Sequence, residues 1–312
     1  MSLEACLPAA LQQPTTTISR IGAGLSGAAV YRVDAGGGSF VLKVAAEAEP
    51  TETWQQKVAL LQLGAGAALA PRVVHVDEER RAVLSELIVD RSFVGRYHEP
   101  QSHAAALTEL GSLLRRVHSL PLPVGVTGQD PRDVLSTSWA GLSELPLPGF
   151  VRDAVERLLA QEPPASDRAP VLSHNDVNPT NLVYDGQRVL LLDWDSSGPN
   201  DPFYDLASIS VFLRMDEPTC RALLQAHEGA AVSVLPPRFS YNRRLMSLLC
   251  GSIFLHLAQR SGHTGAAVDE VLDSTPDLGA FYQSLHSGAL RLASAEGQWG
   301  FGLALIKESF RF

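Results

Sequence analysis

The sequence predicts an α+β chain with two parts: a small antiparallel β-rich portion with one helix over residues 1–90, then a larger, mainly helical portion over 91–312. Three observations carry this reading. Short apolar runs around glycine-rich turns crowd residues 18–90, apolar residues at helical spacing dominate from 104 onward, and β-type segments return only briefly between 171 and 192. With 312 residues, 45% of them hydrophobic, the chain can bury a large core and is not of disordered type.

Each element follows from local pattern. Residues 18–22 lead into a glycine-rich turn, after which Ala29–Val33 reads as a strand. A turn at Gly36–Ser39 joins it to Phe40–Val44 as a hairpin. Trp54, Val58 and Leu61 predict a helix from Thr53 to Leu63, ended by Gly64. Val73–Val76 and Ala82–Val89 flank the charged turn Asp77–Arg80 as a second hairpin. Ala106, Leu107, Leu110, Leu113, Leu114 and Val117 form one stripe of a helix over Ala104–His118, closed by Pro121 and Pro123. Val151–Leu159 is a further helix and 163–169 a loop. Strands follow at Val171–Ser173, Leu182–Tyr184 and Val189–Leu192, with helices from Asp205 to the end.

Composition narrows the function. No run approaches the ~18 apolar residues of a membrane span, and no basic residue precedes Arg20, so a cytoplasmic protein without a membrane partner is expected. Cys6, Cys220 and Cys250 are too scattered for a disulfide framework or a zinc site. The net charge is −9, and residues 174–220 hold eight acids against Arg188 and Arg214. That imbalance opposes a nucleic-acid partner and favours either a cation-binding site or a solvated acidic face.

The segment from His174 to Asp195 carries the chemistry. A loop leaving a short β-segment presents Asp176 and, five residues later, Asn181. The Asp185-Gly186 turn then leads back through four apolar residues to Asp193, bringing two carboxylates and an amide oxygen to one place. Such an oxygen cluster suits Mg²⁺, which takes one or two carboxylates plus substrate phosphates. Asp176 need not touch the metal; it can orient a hydroxyl nucleophile and accept its proton.

This pattern resembles the aminoglycoside phosphotransferase and choline/ethanolamine kinase superfamily, relatives of the protein kinases. The Asp176–Asn181 spacing and the placing of Asp193 match the catalytic-loop and metal-binding positions of that fold. The resemblance implies a bilobal protein-kinase-like fold, ATP and Mg²⁺ as cofactors, and a small-molecule hydroxyl acceptor. It also implies supporting roles for His174 and for Asp205, in the stretch Asp201–Ala207.

The N-terminal portion agrees with it. Gly22, Ala23, Gly24 and Gly27 fit a G-x-G-x-x-G loop over nucleotide phosphates; the same pattern marks a dinucleotide-binding unit, but a strand rather than a helix follows it here. Lys43 lies inside an apolar strand, where an ammonium needs a partner such as phosphate. The helix acid usual for such a lysine is missing, which leaves Glu52, or Gln55 and Gln56, as its holders. By resemblance, the backbone from Glu86 to Ile88 contacts adenine. An oxidoreductase and a catalytically silent nucleotide-binding regulator are the alternatives.

For the acceptor, Asn175 and the Asp193-Trp194-Asp195 stretch resemble the choline and thiamine kinase branches, with aminoglycosides also open. Asp195 is a candidate for a second metal or an acceptor amine. Trp194, Tyr204, Tyr241, Phe254, Tyr282, Trp299 and Phe301 are candidates for an aromatic cage around a quaternary ammonium. Arg238, Arg243 and Arg244 would instead form a basic spot for an anionic acceptor.

Overall fold

A computed structural model of the chain describes every residue except 1, 22–27, 143, 167 and 267–270. The expected loop residues Gly22, Ala23, Gly24 and Gly27 therefore lie outside the described residues. The fold is the mixed α/β one expected, with its antiparallel sheet near the N-terminus and helices after it. By packing, the chain forms two compact units, residues 1–126 with 174–198, and residues 127–173 with 199–312. The boundary drawn at residue 90 separates expected roles, whereas these units are bodies of contact.

The first unit is built on β1 (Thr17–Arg20), β2 (Ala29–Ala35), β3 (Gly38–Val44), β4 (Val73–Asp77) and β5 (Ala82–Glu86), ordered β1-β2-β3-β5-β4 and antiparallel throughout. Ala35 faces Gly38 across Gly36 and Gly37, whose φ values of 58° and 78° twist the hairpin correctly and suit glycine. Alternation along β3 sends Leu42 and Lys43 to opposite faces. Leu42 joins Val33 and Leu84 in a cluster with Cys6 and Leu7 from the N-terminal segment. Lys43 is paired in register with Val83, which packs on Trp54 and Val58 of helix α1 (Thr51–Gly66).

Two boundaries differ from expectation. Helix α1 runs through Gly64 to Gly66, because Gly64 serves a packing contact rather than a stop, and β5 ends at Glu86 rather than Val89. Helices α2 (Phe93–His98) and α3 (His103–His118) follow. The unit is completed by the hairpin of β7 (Leu182–Tyr184) and β8 (Val189–Leu191), with Leu182 opposite Leu191. Leu191 N–H donates to Leu69 O at 2.8 Å, which ties that hairpin to the end of α1.

The second unit contains α4 (Pro131–Gly141), α5 (Gly149–Ala160), β6 (Val171–Ser173), α6 (Phe203–Phe212), α7 (Glu217–Glu228), α8 (Pro237–Arg260), α9 (Leu278–His286) and α10 (Ala295–Glu308); β9 (Gly198–Asn200) pairs with β6. Helix α8 is its axis, packed by α4, α6 and α10. A Cβ on Gly251 would lie 2.5 Å from Ile306, so the absence of a side chain sets the α8–α10 approach. No helix among the described residues is long and apolar enough to cross a membrane.

Candidate active site

The loop after β6 holds Asp176 by both carboxylate oxygens. Asn178 Nδ2 donates to Oδ1 at 2.9 Å, and Asn181 Nδ2 donates to Oδ2 at 2.8 Å and to the main-chain oxygen at 2.9 Å. Asn178 is itself fixed, its Oδ1 accepting from Thr180 N–H and Oγ1. Burial pushes the Asp176 carboxyl above its usual range, against the opposing influence of His174 and the two amides. Asn178 was not expected from the sequence, although an Asn two residues after an Asp is a common local turn partner.

The β7–β8 hairpin brings Asp193 back as anticipated. Leu192 N–H donates to Asn181 O at 2.8 Å, so the residue before Asp193 is bonded to the loop residue beside Asp176. His174 is buried, with Nε2 2.9 Å from Leu192 O and its ring edge-on to Trp194 at 5.4 Å. Asn175 and Asp193 both have left-handed backbones, at φ 64° and 57°. Asn tolerates that region better than most residues, and Asn175 Nδ2 caps Ser196 O at 3.0 Å. Strained backbone of this kind concentrates at functional sites.

Lys43 bridges two carboxylates, 2.9 Å from Asp193 Oδ1 and 2.8 Å from Asp195 Oδ2. Burial opposes charge on Asp193, but Lys43 outweighs it and holds the carboxyl below its usual range. For Lys43 the same contacts overcome burial and raise its pKa. Its counter-ions are thus neither Glu52 nor Gln55 or Gln56. Those residues arrive with α1, but the acids come from the segment after β8. A second ammonium joins them: Lys57 of α1 lies 2.5 Å from Glu49 and 3.7 Å from Asp195.

Packing fixes this arrangement from behind. The Trp194 indole is buried, donates from Nε1 to Leu191 O at 3.1 Å, and lies against α1 where a Cβ on Gly64 would approach within 2.5 Å. Trp194 is therefore a core residue and not part of an aromatic cage. At the end of β5, Glu86 N–H donates to Arg72 O and Leu87 N–H to Ser39 O, so those two donors serve the sheet. Asp205 is fully buried in the first turn of α6, within the second unit.

The donor set fits a divalent cation in part. Asn181 turns its amide nitrogen to Asp176, leaving its Oδ1 as a donor alongside the Asp193 carboxylate. No group of three His, Cys, Asp or Glu residues among the described residues could hold a metal ion. A cation here requires further oxygens from outside the protein, and phosphates supply them in Mg²⁺ sites.

Within the second unit, a cavity of about 280 Å³ is lined by Asp130, Asp201, Tyr204, Tyr241 and three arginines. Each guanidinium is engaged: Arg238 with Asp201 at 2.8 Å, Arg168 with Glu228 at 2.7 Å, and Arg132 with the main-chain oxygens of Leu159 and Gln161. Arg243 is buried over Phe312 and Arg244 donates to Phe312 O, so the expected basic spot does not form. Of the seven aromatic candidates, Tyr204 and Tyr241 line the cavity while also packing in the hydrophobic clusters to which Phe254, Tyr282, Trp299 and Phe301 belong.

The model of the phosphotransferase enzyme family matches residues 17–238. Protein LicA of Haemophilus influenzae is 33% identical over 54 residues, which is 17% of this chain and only 20% of the length of that relative. A choline/ethanolamine kinase family protein from Mesorhizobium loti superposes with a TM-score of 0.62 at 20% identity, covering 98% of this chain and 97% of that one. The macrolide 2'-phosphotransferase MphH of Brachybacterium faecium gives 0.59 at 19% identity, covering 81% and 89% respectively. At these identities the solved structures establish likeness of fold.

Proposed function

Given that the chain belongs to the phosphotransferase enzyme family, we propose that it transfers the γ-phosphoryl group of ATP to a hydroxyl of a small molecule. The observation that carries this reading is Asp176, held at both oxygens by amides while Lys43 occupies Asp193. Asp176 orients the acceptor hydroxyl and takes its proton as the new oxygen–phosphorus bond forms and the bond to ADP breaks. Its burial favours the protonated form and so raises its basicity.

Asn181 and Asp193 would hold Mg²⁺, which when bound neutralises charge on the phosphates. Lys43 and the Gly22, Ala23, Gly24 and Gly27 segment bind the phosphates, and the backbone from Glu86 to Ile88 meets adenine. His174 supports the loop, Asp205 is a buried structural residue of α6, and Asp195 supports Lys43. Catalysis in this scheme is positioning and charge neutralisation. The intact set of Asp176, Asn181 and Asp193 speaks against a silent regulator.

The acceptor we favour is an amino alcohol of the choline, ethanolamine or thiamine kind. The rings of Tyr204 and Tyr241 at the cavity suit a cationic amine, while the guanidiniums nearby are already occupied. The M. loti protein points the same way, and the macrolide enzyme keeps antibiotics as a second class to test. The test is Mg²⁺-dependent ATP consumption across choline, ethanolamine, thiamine, homoserine, sugars and aminoglycosides. Turnover with an amino alcohol by the native chain but not by Asp176→Asn is the expected result. Equal background in both proteins with every acceptor would overturn the proposal.

A further inference from the structure

Lys43 has two carboxylate partners, and a divalent ion at Asp193 would compete for one of them. Asp193 is also the carboxylate assigned to the divalent ion, so an ion bound there competes with Lys43 for it. Asp195 is the partner that remains, at 2.8 Å from Lys43, and it does not stand alone. Lys57 reaches it at 3.7 Å from α1 and is itself anchored by Glu49 at 2.5 Å, just before that helix begins.

Charge counting supports a division of labour. The cluster holds two ammonium groups, Lys43 and Lys57, against three carboxylates, Asp193, Asp195 and Glu49. When the ion claims Asp193, the remaining four groups balance. Without Lys57, two carboxylates would face one ammonium, and Asp195 would lose its hold on the α1 side. The backbone of Asp195 is already fixed, because it sits in the short turn Trp194–Ser196 behind the buried indole.

We propose that Asp195 and Lys57 are positioning residues: Asp195 keeps Lys43 in place once the divalent ion has taken Asp193, and Lys57 keeps Asp195 in place. The inference rests on the ATP-binding reading above. It assigns α1 a cation in this role, acting through Asp195 rather than on Lys43 directly.

The test is calorimetric titration of ATP, with excess Mg²⁺ and separately in EDTA, into the native chain, Lys57→Met, Lys57→Gln, Lys57→Arg and Glu49→Gln. Either neutral Lys57 variant should weaken Mg²⁺–ATP binding about tenfold, as expected of a coupling between neighbouring sites. Without the ion the loss should stay below about twofold, because Asp193 still holds Lys43. Lys57→Arg should restore most of the affinity, and the ligand-free melting temperatures should agree closely. Equal losses with and without Mg²⁺ would make Lys57 a direct phosphate ligand and overturn the proposal. So would no loss in any neutral Lys57 variant, whereas Glu49→Gln, which leaves the Lys57 charge beside Asp195, should weaken binding less than Lys57→Met. A native chain that binds no Mg²⁺–ATP would instead remove the ATP reading itself, and this inference with it.

Discussion

The acidic stretch from residue 174 to 220 divides into two regions that use the same side chain in opposite ways. In the second region acids pair with arginines or cap helix starts. Asp201 accepts from Phe203 N–H at 2.8 Å and pairs with Arg238, Asp216 caps α7 through Thr219 N–H at 2.9 Å, and Glu217 pairs with Arg221 one turn on. In the first region Asp193 and Asp195 meet lysines brought from β3 and α1, and Asp176 meets only neutral amides. Asp185, within that first region, behaves like the second, accepting from Gln187 and Arg188 N–H in the hairpin turn. An acid count therefore says little about function. What separates the two groups is the kind of partner: arginines and backbone N–H groups in one, side-chain amides and lysines from β3 and α1 in the other.

Substitutions test that division. Asp176→Asn should lower turnover about a thousandfold, as loss of a positioned base does, with the melting temperature close to native. Retention of more than a tenth of the native rate would place Asp176 with the structural acids. Asp201→Ala should destabilise by about 2 kcal/mol, since it strips Arg238 of a partly buried partner and removes a backbone cap; denaturant titration measures it. Asp216→Ala should cost about 1 kcal/mol, the usual value of a helix N-cap, seen as a lowered urea midpoint at unchanged slope.

The smallest effect belongs to Asp185→Ala, about 0.5–1 kcal/mol from the lost turn bonds. Its sign with pH follows from the native pKa. Burial opposes the shift, but the Arg188 and Gln187 N–H groups and the Arg188 side chain outweigh it and lower the pKa from its usual 3.8. The contribution of Asp185 is therefore complete above 3.8 and disappears as pH falls through the lowered native value. The stability gap between native chain and variant should close under acid. A gap that widens instead would show that the turn bonds are not what hold the carboxylate charged.

Much of this was readable in advance where the cause was local. The β2–β3 hairpin announces itself through Gly36 and Gly37, α3 through its apolar stripe, and the return of Asp193 through the four apolar residues before it. Helix α4 carries a local signal of the same kind, since Asp130 caps it ahead of Pro131 at its start. The counter-ions of Lys43 were not readable in the same way. They stand 150 positions and more along the chain, and only the tertiary fold decides whether an acid in the first turn of α1 or one after β8 reaches the ammonium. The aromatic list failed for a related reason: an isolated Trp or Phe carries no mark of which face it will turn to the interior.

The notch at Gly64 has a mechanical consequence. Because the Trp194 ring occupies the volume a side chain would take on α1, the helix bearing Lys57 and the turn bearing Asp195 are keyed together like the two halves of a hinge pinned shut. Neither can rotate without extracting a buried ring. On the ATP reading proposed above, a triphosphate would meet these ammonium and carboxylate groups already aligned, and the reorganisation it drives would be confined to the exchange at Asp193.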